Sequence, residues 1–434
     1  MLEKDPKDSL FHFPEVCIKE ASAGSGKTYA LAKRYIQLLI NLSLELQEIP
    51  LRSILAITFT NKAAIEMKKR ILEFLKKIAL DKFSSKEEKN DILSSFIGKE
   101  ETVREKSHMV MDYLIRNYNF FQVQTIDSFI NALLLGCAFK IQLSSNFRIK
   151  KDYEDYLSYS LDILIDKAHY SAEVLGIFQE FLEHYLYVEG RTSWFPKRDI
   201  LSLIKSLFSY SNIFGGRFRK YGIESKEVVS KKREVLSSMK EIRDNLPQGT
   251  NKRFISSLES FLRNNEETFN IDSLPKYFSR ERFPVNKGGD VPEKVEKLWK
   301  EIRSNLKEVC ELEAFSLFNP YIDIFDLVLK EFQVLTRKED ILFLEELNRQ
   351  ARALFEEESM TVAELYYRLA TRFKHYLIDE FQDTSTLQWK NLIPMVEEAL
   401  STDGSLFYVG DKKQAIYRFR GGEVSLFDKV KEKA

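Results

Sequence analysis

A chain of 434 residues is too long for one small domain and points to two or three. It is 44% hydrophobic with 33 Phe and 19 Tyr, enough apolar material for a sizeable core, which excludes global disorder. Its 66 basic and 66 acidic residues cancel, so a polyanionic partner has to meet a local patch and not an overall positive field. Cys17, Cys137 and Cys310 are odd in number and far apart, which fits a reducing compartment and offers no disulfide framework. The start, MLEKDPKDSL, has no apolar signal core, and no uninterrupted apolar run is long enough to span a membrane. A soluble, cytoplasmic protein with no membrane partner is the default expectation.

The first predicted element is a short apolar strand, Val16 to Ile18, followed by small residues and an alanine-rich amphipathic helix. Ala21, Ser22, Ala23, Gly24, Ser25, Gly26, Lys27 and Thr28 fit the Walker A pattern, with Ala21 in place of its first glycine. Small residues let backbone N–H groups turn toward phosphates, and the helix N-terminus favours their negative charge. Lys27 is placed to reach the β and γ phosphates of a nucleotide and Thr28 to hold magnesium. A plain glycine-rich turn before a helix is the bland alternative, but the strand, loop and helix context is what the motif needs.

Next, Ile54 to Phe59 read as a buried strand, Thr60 and Asn61 as a cap, and the residues after them as an amphipathic helix. NFFQVQTIDSFINALLL, from residue 119, repeats that grammar: an apolar strand, Thr125, then a helix starting near Asp127 and Ser128. From about residue 146 to 345 the texture changes to long helices rich in Lys, Glu, Phe and Leu. The stretches GGRFRKYG and PKYFSRERFP bring basic and aromatic residues together; they are solvated loops of a helical domain or contacts to a phosphate backbone.

The strand grammar returns at HYLIDEFQDTS, residues 375 to 385. Tyr376 to Ile378 suit a buried parallel strand whose carboxyl end presents Asp379, Glu380 and Asp383. Paired with a phosphate cradle, Asp379 becomes a magnesium holder, directly or through water, and Glu380 a group that positions or deprotonates the attacking water. SLFYVGDKKQAIYRFRGG, from residue 405, adds one more strand and a polar, aromatic loop. The five histidines show no zinc spacing with the cysteines, so magnesium bound with nucleotide is the one metal supported.

Lys27 and Asp379 lie 352 positions apart, far more than a compact nucleotide-binding sheet normally interposes. Either they serve separate sites or a large domain interrupts one sheet. The helical middle favours the second, giving an α/β parallel sheet with a large, mainly helical inserted domain.

With these pieces in order, the sequence resembles the UvrD/Rep type of superfamily 1 DNA helicases, and more narrowly the RecB/AddA-like branch. ASAGSGKT from Ala21, AITFTNKAAIEMKKRI from Ala56, QTIDSF from Gln124, DEFQDTS from Asp379 and GDKKQAIYRFRGG from Gly410 resemble that family's motifs I, Ia, the next DNA-contacting motif, II and III. In the last, Lys412, Ala415 and Gly422 depart from the usual GDPKQSIYRFRGA. FHFPEVCIKEA, upstream of the cradle, lacks the glutamine with which many relatives read adenine, so base selectivity stays open.

The resemblance implies a RecA-like P-loop NTPase domain split into residues 1–145 and 346–434 around an inserted helical domain, 146–345. It implies ATP and Mg2+ as ligands, and that Gln382 and Gln414 couple the γ-phosphate to DNA contacts, with Gln414 as its sensor. Phe59, Thr60, Asn61, Lys62, Thr125 and Ser128 are implied to line a single-strand track, with Tyr417 and Phe419 beside it. Stacking aromatics and short polar groups suit that task, although core packing is an equal reading of Phe59. The implied activity is ATP-driven 3′ to 5′ movement on single-stranded DNA toward a duplex junction, in double-strand break repair, with a helicase-nuclease partner subunit possible. Relatives carry a second RecA-like domain and a nuclease domain after these motifs. The sequence stops before either, and the expectation is therefore a motor half, or a nucleotide- and DNA-binding module that does not unwind by itself.

Overall fold

The computed structural model describes residues 12–20, 26–46, 48–191, 196–286, 288–356, 360–414 and 422–433. The chain divides into two compact units, one of residues 1–151, 209–216 and 337–434, the other of 152–208 and 217–336.

The first unit is built on a five-stranded sheet in which all neighbours run parallel. Its strands are β1 (Glu15–Glu20), β2 (Ile54–Thr58), β3 (Val123–Thr125), β6 (His375–Ile378) and β7 (Ser405–Gly410). They stand in the order β1-β7-β6-β2-β3. Two further strands, β4 (Arg148–Lys150) and β5 (Ile341–Phe343), form a separate parallel pair. Parallel neighbours need long crossovers, and here helices supply them.

Strand alternation explains why both faces are covered. Leu55, Ile57, Tyr376, Ile378, Leu406 and Tyr408 point into one apolar cluster, shared with the helices Ile126–Gly136 and Thr386–Ser401. Ile54, Ala56, Leu377, Phe407 and Val409 point into the other, shared with Lys27–Leu46 and Asn61–Leu80. Each fully buried side chain of this kind contributes roughly 1.5–3 kcal/mol. The covered faces leave the strands' carboxyl edge as the place where polar side chains gather.

The second unit is helical. The helices Ser225–Asp244, Lys252–Asn264 and Glu293–Ser316 pack around Trp299, Phe254, Phe278 and Phe283. Fully buried Lys232 donates to the Val188 carbonyl at 2.7 Å and pairs with Glu313 at 3.2 Å. Among the described residues, no helix is long and apolar enough to cross a membrane.

Candidate functional site

The carboxyl edge of β1, β7 and β6 collects groups from three distant parts of the chain. Gly26 stands at φ +83°, a conformation that suits glycine, and its carbonyl accepts from Ala30 N–H at 2.9 Å. The helix Lys27–Leu46 starts there. Buried Lys27 donates to Glu380 Oε2 at 2.6 Å, across 353 positions, and to Gln414 Oε1 at 3.3 Å. Thr28 is half-buried in the same first turn. Ala21, Ser22, Ala23, Gly24 and Ser25 lie outside the described residues, as do Tyr417 and Phe419.

These contacts belong to a closed ring. Gln382 Nε2 donates to Glu380 Oε2 at 2.7 Å, while Gln382 Oε1 accepts from the Asp411 backbone N–H at 3.0 Å. Asp411 Oδ2 accepts from Gln414 Nε2 at 2.7 Å, and Gln414 Oε1 returns to Lys27. Gln382 thus clamps the end of β6 to the end of β7, and Gly410 makes the approach possible. A Cβ there would sit 2.3 Å from Gln382 Oε1 and 2.9 Å from Phe427 Cε2. Asp411 was missed from sequence as a site residue; its place in GDKKQ, three before Gln414, is the signal that marks it.

Two features of DEFQDTS are strained or costly. Glu380 sits at φ +50°, the left-handed region that costs a side-chain-bearing residue on the order of 1–3 kcal/mol. Asp379 is almost fully buried, and burial, followed by the charge of Glu380, pushes its carboxyl up to about 6. The Glu380 backbone N–H donates to Asp379 Oδ1 at 3.0 Å, and Lys27 and Arg70 act in the same lowering sense without overcoming burial. A cation beside Asp379 would restore its ionised form. With Thr28 it offers hard oxygen donors, the kind magnesium takes one or two of when phosphates and water supply the rest.

The other half of the same edge carries the second group of predicted residues. Thr58 and Thr125 are register partners at the carboxyl ends of β2 and β3, and Asp379 N–H donates to Ile57 O at 2.9 Å from the β6 side. Thr60 caps the helix Asn61–Leu80 by accepting from Ala63 N–H at 3.1 Å, with Asn61 and Lys62 exposed in its first turn. Phe59, the last residue of the expected strand, falls just past the observed end of β2 at Thr58 and is half-buried. Thr125 caps the helix Ile126–Gly136, which begins one residue earlier than expected, by accepting from Ser128 N–H at 3.2 Å. Its hydroxyl also meets Ser128 Oγ at 2.7 Å.

A parallel sheet carrying a lysine, carboxylate and glutamine ring at its carboxyl edge, with a helical unit between its strands in sequence, defines a RecA-like nucleotide-binding fold with a helical insertion. The chain belongs to the UvrD/REP helicase N-terminal domain family, whose model matches residues 2–434. It is similar to ATP-dependent helicase/nuclease subunits of Bacillus cereus (strain G9842) and of Bacillus thuringiensis (strain Al Hakam). Each is 25% identical over 469 aligned residues that cover 94% of this chain and 34% of the relative. The chain therefore spans about a third of the length of these relatives.

Proposed function

We propose that this chain is the ATP-binding motor portion of a cytoplasmic, ATP-dependent DNA helicase of the RecB/AddA type. Its ligands in this reading are ATP with Mg2+, single-stranded DNA and a duplex junction, and its work is recombinational repair of double-strand breaks with 3′ to 5′ movement. Each relative is named as one subunit of a helicase/nuclease, which favours a partner subunit for this chain as well. Residues 1–145 and 346–434 form the RecA-like domain in this reading, and 146–345 its helical insertion.

The observation that supports the reading best is the ring joining Lys27, Glu380, Gln382, Asp411 and Gln414, which brings residues from distant parts of the chain to the carboxyl edge of a parallel sheet, where such sheets place their ligands. Lys27 holds the β and γ phosphates, with the small residues from Ala21 to Gly26 cradling them by backbone N–H groups. In turning to phosphate Lys27 leaves Glu380 Oε2, and Glu380 then accepts the proton of the attacking water. Gln414, held by Asp411, reports the γ-phosphate, and Gln382 carries that signal along the edge to β6. Asp379 and Thr28 hold magnesium, which when bound with nucleotide neutralises phosphate charge. At the β2 and β3 ends, Phe59, Thr60, Asn61, Lys62, Thr125 and Ser128 face single-stranded DNA, with Tyr417 and Phe419 assigned to the same track by motif.

A second reading, a nucleotide- and single-strand-binding module that needs a further motor domain or a partner, is raised by the one-third coverage of the relatives. Steady-state ATP hydrolysis by this chain, with and without single-stranded DNA and beside a Lys27→Ala control, separates the two. Turnover that DNA stimulates and the control loses supports the motor. Magnesium-dependent ATP binding without turnover supports the module, and absence of nucleotide binding overturns both.

A further inference from the structure

Lys27 and Thr28 open the helix Lys27–Leu46, and Tyr29 follows them directly. A Cβ on Gly26 would meet Tyr29 Cβ at 3.6 Å, so the two residues are close neighbours across that start. The Tyr29 hydroxyl donates to Asp91 Oδ2 at 2.8 Å, and Lys33 Nζ, one turn on, donates to Asp91 Oδ1 at 2.7 Å. One carboxylate thus bridges two residues of the same helical face. The Tyr29 ring also meets the ring of buried Phe74 edge-on, with centroids 5.0 Å apart and planes at 78°. The bond from Lys33 holds the Asp91 carboxyl below its ordinary value, with burial opposing and the Tyr29 hydroxyl helping, so it stays an acceptor for both.

Asp91 is itself held in place. Its helix, Lys86–Leu93, is capped by Ser85, which accepts from Glu88 N–H at 3.1 Å, and is tied by the pairs Lys77–Glu88, Lys89–Asp81 and Lys89–Glu100. Ile92 and Phe96 sink into the apolar cluster that the helix Lys27–Leu46 helps to build. About three turns beyond Tyr29, buried Asn41 donates to the Ser95 carbonyl at 3.3 Å and accepts from Ile97 N–H at 3.1 Å. The stretch 86–97, which carries none of the motif residues, therefore grips that helix at two places. Helix starts fray, because their leading N–H groups lack intrahelical partners. Here the first turn carries the residues assigned to phosphate and magnesium, and a clamp on it reduces the freedom lost when a ligand binds.

We propose that Asp91 is a positioning residue of the nucleotide site. Acting through Tyr29 and Lys33, it holds the first helical turn so that Lys27 and Thr28 are preset for the phosphates and magnesium. This rests on the reading that Lys27 and Thr28 bind ATP with Mg2+, and it adds a residue that touches neither. The clamp is the same before and during the chemical step, so it acts on affinity and not on the rate of that step.

The test uses the whole 434-residue chain and titration calorimetry with ATP in the presence of Mg2+, beside thermal midpoints of the nucleotide-free chains. Asp91→Ala is expected to weaken ATP binding about 3- to 10-fold while the midpoint changes little. Where the chain turns over, KM is expected to rise by the same factor with kcat unchanged. Amide exchange over residues 27–33 of the nucleotide-free chain is expected to quicken in the variant. In a Tyr29→Phe, Lys33→Met chain, which has already lost both donors, Asp91→Ala is expected to add nothing. Glu100→Gln, which breaks a neighbouring pair that reaches neither Tyr29 nor Lys33, is expected to bind as the parent does. Equal affinity of parent and Asp91→Ala overturns the positioning role alone, as does an equal further loss in the doubly substituted chain. A loss of affinity that tracks the midpoint through every variant, Glu100→Gln included, overturns it too. A parent chain that binds no ATP overturns the nucleotide reading, and the positioning role with it.

Discussion

β6 and β7 run side by side, and their two ends have opposite characters. At the amino end His375 and Ser405 are register partners, with His375 Nδ1 and Ser405 Oγ 2.9 Å apart. Burial, followed by the charges of Arg34 and Lys374, pushes His375 down to about 3, so the imidazole is neutral at any ordinary pH. At the carboxyl end the same strands deliver Asp379, Glu380, Gly410 and Asp411, with one carboxylate raised, one residue at positive φ and a lysine turned inward. One end is settled as the fold requires. The other retains charge and strain that the fold alone gives no reason for, and such strain gathers at working sites.

The sharpest way to test the contrast is to remove the proton acceptor. Glu380→Gln keeps the shape and the bond from Lys27 but cannot take a proton from water. Turnover of ATP is expected to drop by about 10²- to 10⁴-fold with nucleotide affinity retained, measured as phosphate release in a single turnover. Unchanged turnover would move the base elsewhere and leave the carboxyl edge no more active than the amino edge.

Acid separates the two ends in sign. Below about pH 6.5 an unfolded chain protonates His375 while the folded chain does not until about 3, so this residue's contribution is full above 6.5 and lost as pH falls through that window. Its upper bound is about 5 kcal/mol. Asp379 works the other way. Its folded carboxyl takes a proton near 6 and the unfolded one only near its ordinary value, so its penalty is complete above 6 and relieved as pH falls from there. Between pH 8 and 4 the two contributions oppose each other in the parent, and in His375→Gln the thermal midpoint is expected to rise relative to the parent as pH falls, because only the relief of Asp379 remains. Asp379→Asn is expected to raise the midpoint at pH 8, by up to about 3 kcal/mol of stability, while ending magnesium-dependent ATP binding.

Gly410→Ala asks how tightly the carboxyl edge is closed. The added methyl meets Gln382 Oε1 and the Phe427 ring, one polar and one packed in the core with Tyr408 and Phe381. A stability loss of about 1–3 kcal/mol is expected, with turnover falling further than stability because Gln382 is displaced from Glu380 and Asp411. Denaturant midpoint and ATPase rate on the same sample read both.

What the sequence disclosed follows from the size of each physical signal. Apolar runs ending in small or polar residues marked β1, β2, β3, β6 and β7 to within a few residues, because strands buried on both faces need continuous hydrophobicity. The 352-residue gap between Lys27 and Asp379, with its helical texture, pointed to one interrupted sheet. β4 and β5 stayed hidden: three residues each, in a stretch dominated by helices, give no periodicity to read. Asp411 stayed hidden for another reason. Its place in GDKKQ puts it beside Gln414, but its contact with Gln382 is a backbone N–H meeting a side chain across neighbouring strands, and the motif does not say which strands adjoin.

The smallest effect bears on the β3 end, where cap and track make different demands of one hydroxyl. Thr125 Oγ1 already serves Ser128 N–H and Ser128 Oγ, closing the helix Ile126–Gly136. Thr125→Ala strips the cap and is expected to cost about 1 kcal/mol of stability. Thr125→Asn restores a capping oxygen in a different place and is expected to recover most of it. If the hydroxyl works only as a cap, affinity for single-stranded DNA should recover with stability in the asparagine variant. If it also reaches the strand, affinity should stay down by a few-fold, since one neutral hydrogen bond is worth about 1 kcal/mol net. The second outcome is expected, because β3 ends at the same edge as β6 and, with Ser128 Oγ as the donor of their pair, the Thr125 O–H is left to donate to a phosphate oxygen.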